Sequence, residues 1–268
     1  MTVTPYFAQD GVTLYHGDNV QTMREAIPDA SIDLVVTSPP YDNLRTYGGH
    51  SWDFEALAEQ LFRVTKPGGV VVWVVNDATV DGSETGTSFR QALHFMEIGF
   101  RLHDTMIWNK GGFTAVGTLQ VRYAAVWEFM FVFCKGAIRT FNPIKDRLVM
   151  NSDDRQFRTI RQQDGTTKQL SHVPKPSIAG SFGMRYSIWD IPNPGIAGNK
   201  HPATFPESLA RDHILSWSNE GDTVLDPFSG SGTTMKMARL MGRKGIGIEI
   251  HQDYCDIAVE RLRQKLLF

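Results

Sequence analysis

Two short segments hold residue types whose order and spacing can do chemistry. Thr37–Tyr41 reads TSPPY directly after the apolar run Ile32–Val36 (IDLVV), and Asp226–Thr234 reads DPFSGSGTT directly after Thr223–Leu225 (TVL). In the first, a Pro-Pro pair removes two amide donors and stiffens the chain, so that neighbouring carbonyls are presented to a ligand in fixed directions. In the second, Gly230 and Gly232 let the backbone come close to a ligand, and a helix starting just after them favours a carboxylate. The turn after a strand is where an open α/β sheet binds its ligands. Two other phosphate loops fail on residues: Gly232 is followed by Thr233 and Thr234, where a Walker A loop needs Gly-Lys-Ser or Gly-Lys-Thr, and position 235 is Met235, where a dinucleotide fingerprint needs its third glycine. Glu249 stands nineteen residues beyond Gly230, about the interval at which an acidic residue meets ribose hydroxyls in nucleoside-binding α/β folds. Ribose recognition without pyrophosphate points to S-adenosylmethionine and away from NAD.

Together these motifs resemble the β class of DNA amino-methyltransferases, in which the catalytic motif precedes the cofactor motif along the chain. The similarity spans about Val12 to Leu266 and is weakest over Lys135–Asp190. HPATFP, His201–Pro206, is similar to the family segment that precedes the cofactor motif and supplies the floor of the methionine pocket. The resemblance implies a cofactor site of Asp18, Thr37, Phe205, Asp226, Pro227, Phe228, Gly230, Ser231, Gly232, Thr233, Thr234 and Glu249. Asp18 would contact the adenosine part and Phe228 the adenine face. It also implies a catalytic set of Ser38, Pro39, Pro40 and Tyr41, with no metal.

The chemistry of that family asks for such residues. An exocyclic amine on cytosine or adenine is a poor nucleophile, because its lone pair is delocalised into the ring. The Ser38 hydroxyl and the Pro39 carbonyl can each accept one N–H bond and aim the lone pair at the sulfonium methyl. Tyr41 offers a π-face to a base extruded from the stack. In the family, SPPY or SPPF occurs mainly in enzymes that modify cytosine N4, and DPPY or NPPY mainly in those that modify adenine N6. Ser38 therefore favours cytosine N4, with adenine N6 as the alternative. A DNA-binding module that keeps the fold without turnover is opposed by the intact Ser38, Tyr41, Gly230 and Glu249. A dehydrogenase would need a third glycine and a hydride-transfer site.

The elements that must position these residues follow from hydrophobic patterning. Ile32–Val36, Val70–Val75, Thr223–Leu225 and Gly245–Ile250 read as buried strands, and Phe54–Val64, Thr233–Met241 and Tyr254–Leu266 as helices. Phe129–Phe133 reads as a further core strand. Lys66–Gly69 (KPGG) reads as the turn that ends a helix and starts a strand. Trp108–Lys110 and Trp127–Gly136 resemble later strands of the family's sheet, their aromatics mostly core. Asn76 and Asp77 either border the substrate pocket or cap the next turn. Tyr47, Gly48 and Gly49 are either a lid over the base or a surface loop. The expected fold is α/β: a Rossmann-like S-adenosylmethionine-dependent methyltransferase fold, mostly parallel, with an inserted DNA-recognition region. Residues 1–134 form its catalytic half, 135–190 the insertion and 191–268 the cofactor half.

At 268 residues and 41% hydrophobic, the chain can bury one large core. Its net charge of −2 hides an asymmetry: Lys135–Asp190 carries ten Lys or Arg against five Asp. A basic segment on an acidic body suits phosphate contact, and Arg155, Arg158 and Arg161 are the candidates for DNA binding. Cys134 and Cys255 stand far apart, which suggests neither a disulfide framework nor a zinc site. The N-terminus lacks the features of a signal peptide, and the longest apolar runs are far too short to span a membrane. The expectation is a soluble cytoplasmic protein, prokaryotic or phage-encoded, whose partner is double-stranded DNA. A homodimer and a separate restriction endonuclease remain open as further partners.

Overall fold

The structure is a computed structural model, and it describes residues 3–40, 52–112, 121–150, 159–162, 164–169, 178, 180–192 and 206–263. The chain divides into two compact units, Met1–Asn142 with Ser187–Phe268, and Pro143–Tyr186. The first unit begins with β1 (Phe7–Gln9), β2 (Val12–His16), α1 (Asn19–Ala26), β3 (Ile32–Thr37), α2 (Phe54–Val64) and β4 (Thr65–Val75). A short pair, β5 (Thr79–Val80) and β6 (Ser83–Glu84), leads to α3 (Thr87–Glu97), β7 (Arg101–Asn109) and β8 (Trp127–Cys134). The second unit holds β9 (Arg147–Leu148), β10 (Thr159–Arg161), β11 (Thr167–Gln169) and β12 (Phe182–Gly183). The first unit resumes with β13 (Ile188–Asp190), α4 (Glu207–Trp217), β14 (Thr223–Asp226), α5 (Thr233–Leu240), β15 (Lys244–Glu249) and α6 (Gln252–Arg263).

The main sheet has the order β1-β2-β15-β14-β3-β4-β8-β7-β13. Its central block, β2-β15-β14-β3-β4, is parallel throughout. β8 runs antiparallel to both its neighbours. Parallel strands are buried on both faces and so read as continuous apolar runs; β3 is buried at every residue. On one face, Met23 of α1, Leu57 and Leu61 of α2, and Phe95 of α3 pack on Val35, Val71, Trp73 and Leu225. On the other, Met235 of α5 and Cys255, Ala258 and Leu262 of α6 pack on Val12 and Leu14. The result is a doubly wound α/β sheet.

The strand order also positions the site. From β3 the chain crosses through α2 to β4 on one side, whereas from β14 it crosses through α5 to β15 on the other. The adjacent carboxyl ends of β3 and β14 therefore flank the point where the winding reverses, which is where open α/β sheets form a ligand crevice. TSPP runs from the last residue of β3 and DPFSGSG from the last residue of β14.

Helix α2 spans the residues expected, and Asp53 caps it by accepting from the Ala56 amide at 3.1 Å. KPGG departs from expectation, since it lies within β4 and not in a separate turn. Its pairing with β3 jumps from Ile32–Thr65 to Leu34–Val70. The extra residues are absorbed by Gly68 at φ 80°, whose amide bonds the Lys135 carbonyl at 2.7 Å. Backbone bonds between Gly68–Gly69 and Lys135 thus hold strand here, opposite the break in the β3 register, where local composition indicated a turn.

Among the described residues no helix is long and apolar enough to cross a membrane, and no group of three or more His, Cys, Asp or Glu could hold a metal ion. Cys134 and Cys255 are both free and buried. The second unit, Pro143–Tyr186, contains eight Lys or Arg against four Asp.

Candidate active site

The two motif-bearing strands are joined at their ends. The Thr37 hydroxyl donates to Asp226 Oδ1 at 2.7 Å across 189 positions of sequence. Both residues are buried, with Thr37 at 0% and Asp226 at 2% exposure. The Phe228 amide donates to the same carboxylate oxygen at 3.1 Å, and the Thr234 hydroxyl donates to the Val36 carbonyl at 3.2 Å. Burial pushes the Asp226 carboxyl up to about 6, against the opposing hydroxyls of Thr37 and Thr234 and the Phe228 amide, with the Glu249 charge adding to the rise. Of the groups that set this value, none is a cation.

The glycine turn is shaped by backbone conformations that L side chains rarely adopt. Gly230 has φ 47° and Gly232 φ 79°. Gly232 is also the N-cap of α5 and offers no side-chain cap bond, so the first amides of that helix keep their anion-binding capacity. Glu249 closes the turn from the end of β15. Its Oε2 accepts from the Gly230 amide at 2.9 Å and its Oε1 from the His251 amide at 2.8 Å. An ionised carboxylate has about four acceptor positions, so both oxygens retain acceptor capacity. Burial raises the Glu249 carboxyl, with these two amides working against the rise. Gly247 lets the turn lie close to β15: an added Cβ would collide with the Met235 sulfur and come within 2.9 Å of Ser229 Cβ. The Ser229 hydroxyl, buried in this turn, has no hydrogen-bond partner among the described residues.

Beside the turn lies an aromatic wall. The Phe228 ring meets the Trp52 ring edge-on at 5.0 Å between centroids and the Trp73 ring at 6.5 Å. Trp52 shares a hollow of ≈ 600 Å³ with Asp18, Asp53, Phe54 and Glu55. Asp18 caps α1 by accepting from the Gln21 amide at 2.8 Å, and the adjacent Asn19 side chain donates to the Pro227 carbonyl at 3.3 Å. The loop after β2 is thereby tied to the DPF segment.

Ser38 and Pro40 are half-buried and Pro39 is buried, immediately after the anchored Thr37. Tyr41, Tyr47, Gly48, Gly49, Phe205, Arg155 and Arg158 lie outside the described residues, as does His201–Thr204. Arg161 is exposed on the ribbon of β10 and β11. Asp77 serves the α3 start, accepting from the Ser88 amide at 2.9 Å, and the Asn76 amide group donates to the Trp127 carbonyl at 3.1 Å. Asp226 ends β14, Pro227, Phe228, Gly230, Ser231 and Gly232 lie in the turn, Thr233 and Thr234 open α5, and Glu249 meets the turn from β15. Sequence reasoning missed Asn19, Trp52 and Ser229, although Ser229 lies inside DPFSGSGTT and Asn19 directly after Asp18.

These residues fit S-adenosylmethionine. Among the described residues no cation pairs with the buried Asp226 carboxylate, which suits a ligand that brings positive charge, and helix amides without a side-chain cap suit a carboxylate. The acceptors of Glu249, the unpartnered Ser229 hydroxyl and the hollow beside Trp52 suit a nucleoside.

Comparison with known proteins agrees. The family model described as DNA methylase matches residues 32–260. The orphan methyltransferase M.BamHII of Bacillus amyloliquefaciens is 52% identical over 253 residues, covering 91% of this chain and 94% of its own. The structure of the cytosine-N4-specific PvuII DNA methyltransferase shares the fold, with TM-score 0.70 at 20% identity over 98% of this chain and 90% of that one. TTHA0409 of Thermus thermophilus, complexed with S-adenosyl-L-methionine, has TM-score 0.61 at 25% identity over 93% of each chain. The chain belongs to this family: it is a DNA methyltransferase of the class acting on adenine N6 or cytosine N4, and S-adenosylmethionine is its cofactor.

Proposed function

We propose that this enzyme methylates the exocyclic N4 of cytosine in duplex DNA, acting on a base taken out of the stack. The observation that carries the reading is the Thr37–Asp226 hydrogen bond of 2.7 Å, which sets Ser38-Pro39-Pro40 beside the glycine turn. When bound, S-adenosylmethionine supplies an electrophilic methyl on a positively charged sulfur. Ser38 Oγ and the Pro39 carbonyl oxygen each accept one N–H of the target amine, turning its lone pair toward that methyl. Tyr41 stacks on the extruded base. Glu249 holds the ribose hydroxyls, Asp18 the adenosine part, and Phe228 the adenine ring. The second unit, with Arg155, Arg158 and Arg161, contacts DNA phosphates.

Cytosine is preferred because Ser38 supplies a neutral hydroxyl where adenine enzymes of the family mainly carry Asp or Asn. The test is to methylate mixed-sequence DNA with labelled cofactor, digest it to nucleosides and identify the labelled one by mass spectrometry. N4-methylcytidine is expected as its deoxynucleoside. N6-methyladenine without it would overturn the choice of base and leave the fold and cofactor in place.

A further inference from the structure

We propose that Arg261 is a positioning residue for the cofactor turn, acting through Ser231 and Thr233 and not by touching the cofactor. The proposal rests on the reading of the glycine turn as the cofactor site. Arg261 lies near the end of α6, remote in sequence from every motif, yet its guanidinium reaches into the turn. Nη1 donates to the Ser231 carbonyl at 2.8 Å and to Ser231 Oγ at 2.6 Å, and lies 3.2 Å from Thr233 Oγ1. Nη2 donates to Glu207 Oε1 at 2.7 Å. Lys236 of α5 donates to that same oxygen at 2.7 Å. One side chain therefore ties α6 to the turn and to the first residue of α4, and the Glu207 carboxylate ties both to α5.

The anchored residues flank Gly232, whose φ of 79° an unrestrained chain leaves readily. Ser231 is 1% exposed and Thr233 5%, so their hydroxyls serve this network. Holding both sides of a left-handed glycine reduces the conformational freedom that cofactor binding would otherwise have to remove. A planar fork can serve the turn and Glu207 at once, and an ammonium cannot match both directions.

The experiment compares wild type, R261Q, R261K and G230V by calorimetry with S-adenosylmethionine, by steady-state methylation of DNA, and by thermal melting without cofactor. R261Q should weaken cofactor binding about tenfold, the order expected for one lost charge-assisted hydrogen bond. Its kcat at saturating cofactor should stay within about twofold, since a group that touches no reacting atom changes binding and not the chemical step. R261K should fall between, with a melting temperature close to wild type. Wild-type affinity in folded R261Q or R261K, or a loss confined to kcat, would overturn the proposal. If R261Q does not fold, R261K decides by the same criterion. G230V separates the two readings: unchanged affinity there removes the cofactor site from this turn and the proposal with it, whereas weak binding by G230V beside normal binding by R261Q and R261K removes only the role of Arg261.

Discussion

At the scale of single residues, the consequence of burying Asp226 is a dependence on pH. Its carboxyl, raised to about 6 by burial, ionises near 3.9 in an unfolded chain. A raised carboxyl favours the fold most when protonated, so its contribution is full below about pH 4 and is lost as pH rises through about 6. Cofactor brings a positive charge that favours the ionised form. Affinity for S-adenosylmethionine should therefore decline as pH falls from about 7.5 to about 5, with protons released on binding near pH 6. Asp226→Asn should flatten that profile in calorimetry; a profile unchanged in the variant would dissociate Asp226 from cofactor binding. Ser38 makes a different prediction. Ser38→Ala should leave cofactor affinity near wild type and lower turnover by about a hundredfold, on the order of 3 kcal/mol for one preorganised acceptor. A matching loss of cofactor binding would move Ser38 out of its assigned role.

At the scale of elements, the site depends on how closely β15, α5 and the end of β14 approach one another. Gly247 is the point of closest packing, and an alanine there would press on Met235 and on Ser229 Cβ at 2.9 Å. Gly247→Ala should cost about 1–3 kcal/mol in urea unfolding, as overpacking of a filled interior does. Stability equal to wild type would mean that α5 shifts freely against the sheet. Glu249 joins the same elements from the other side, through the Gly230 and His251 amides. Glu249→Gln keeps the shape but offers only one acceptor oxygen, so it should weaken cofactor binding more than it lowers the melting temperature. The reverse ranking, measured by calorimetry and thermal melting, would make Glu249 a structural clasp alone.

At the scale of the whole molecule, charge is divided between the two units. The segment Pro143–Tyr186 holds eight of the 27 Lys and Arg residues, in a chain whose overall charge is −2. DNA affinity should fall with salt, and reversing charge at Arg155, Arg158 and Arg161 together should flatten that dependence. Each lost phosphate contact lowers the slope of log K against log salt by about 0.9 on duplex DNA. Cofactor affinity should not change in the triple variant. A wild-type slope would show that this basic segment is only a solvated surface.

Local order in the sequence determined a good part of this. The run IDLVV and the amphipathic Phe54–Val64 stretch specify β3 and α2, because a buried strand and a one-faced helix differ in hydrophobic period. The two motifs were legible because proline and glycine restrict or release backbone angles at their own positions, as Gly230 and Gly232 do at φ 47° and 79°. Other features belong to the tertiary structure. Thr37 meets Asp226 only because the sheet places β3 beside β14. KPGG becomes part of β4 because Gly68 and Gly69 bond the backbone of Lys135, across from the break in the β3 register. Trp52 finds Phe228, and Arg261 finds Ser231 and Glu207, through contacts that no sequence window contains. Residue type sets local backbone preference, whereas the partner of a buried polar group is chosen by strand order and helix packing, which only the assembled chain supplies.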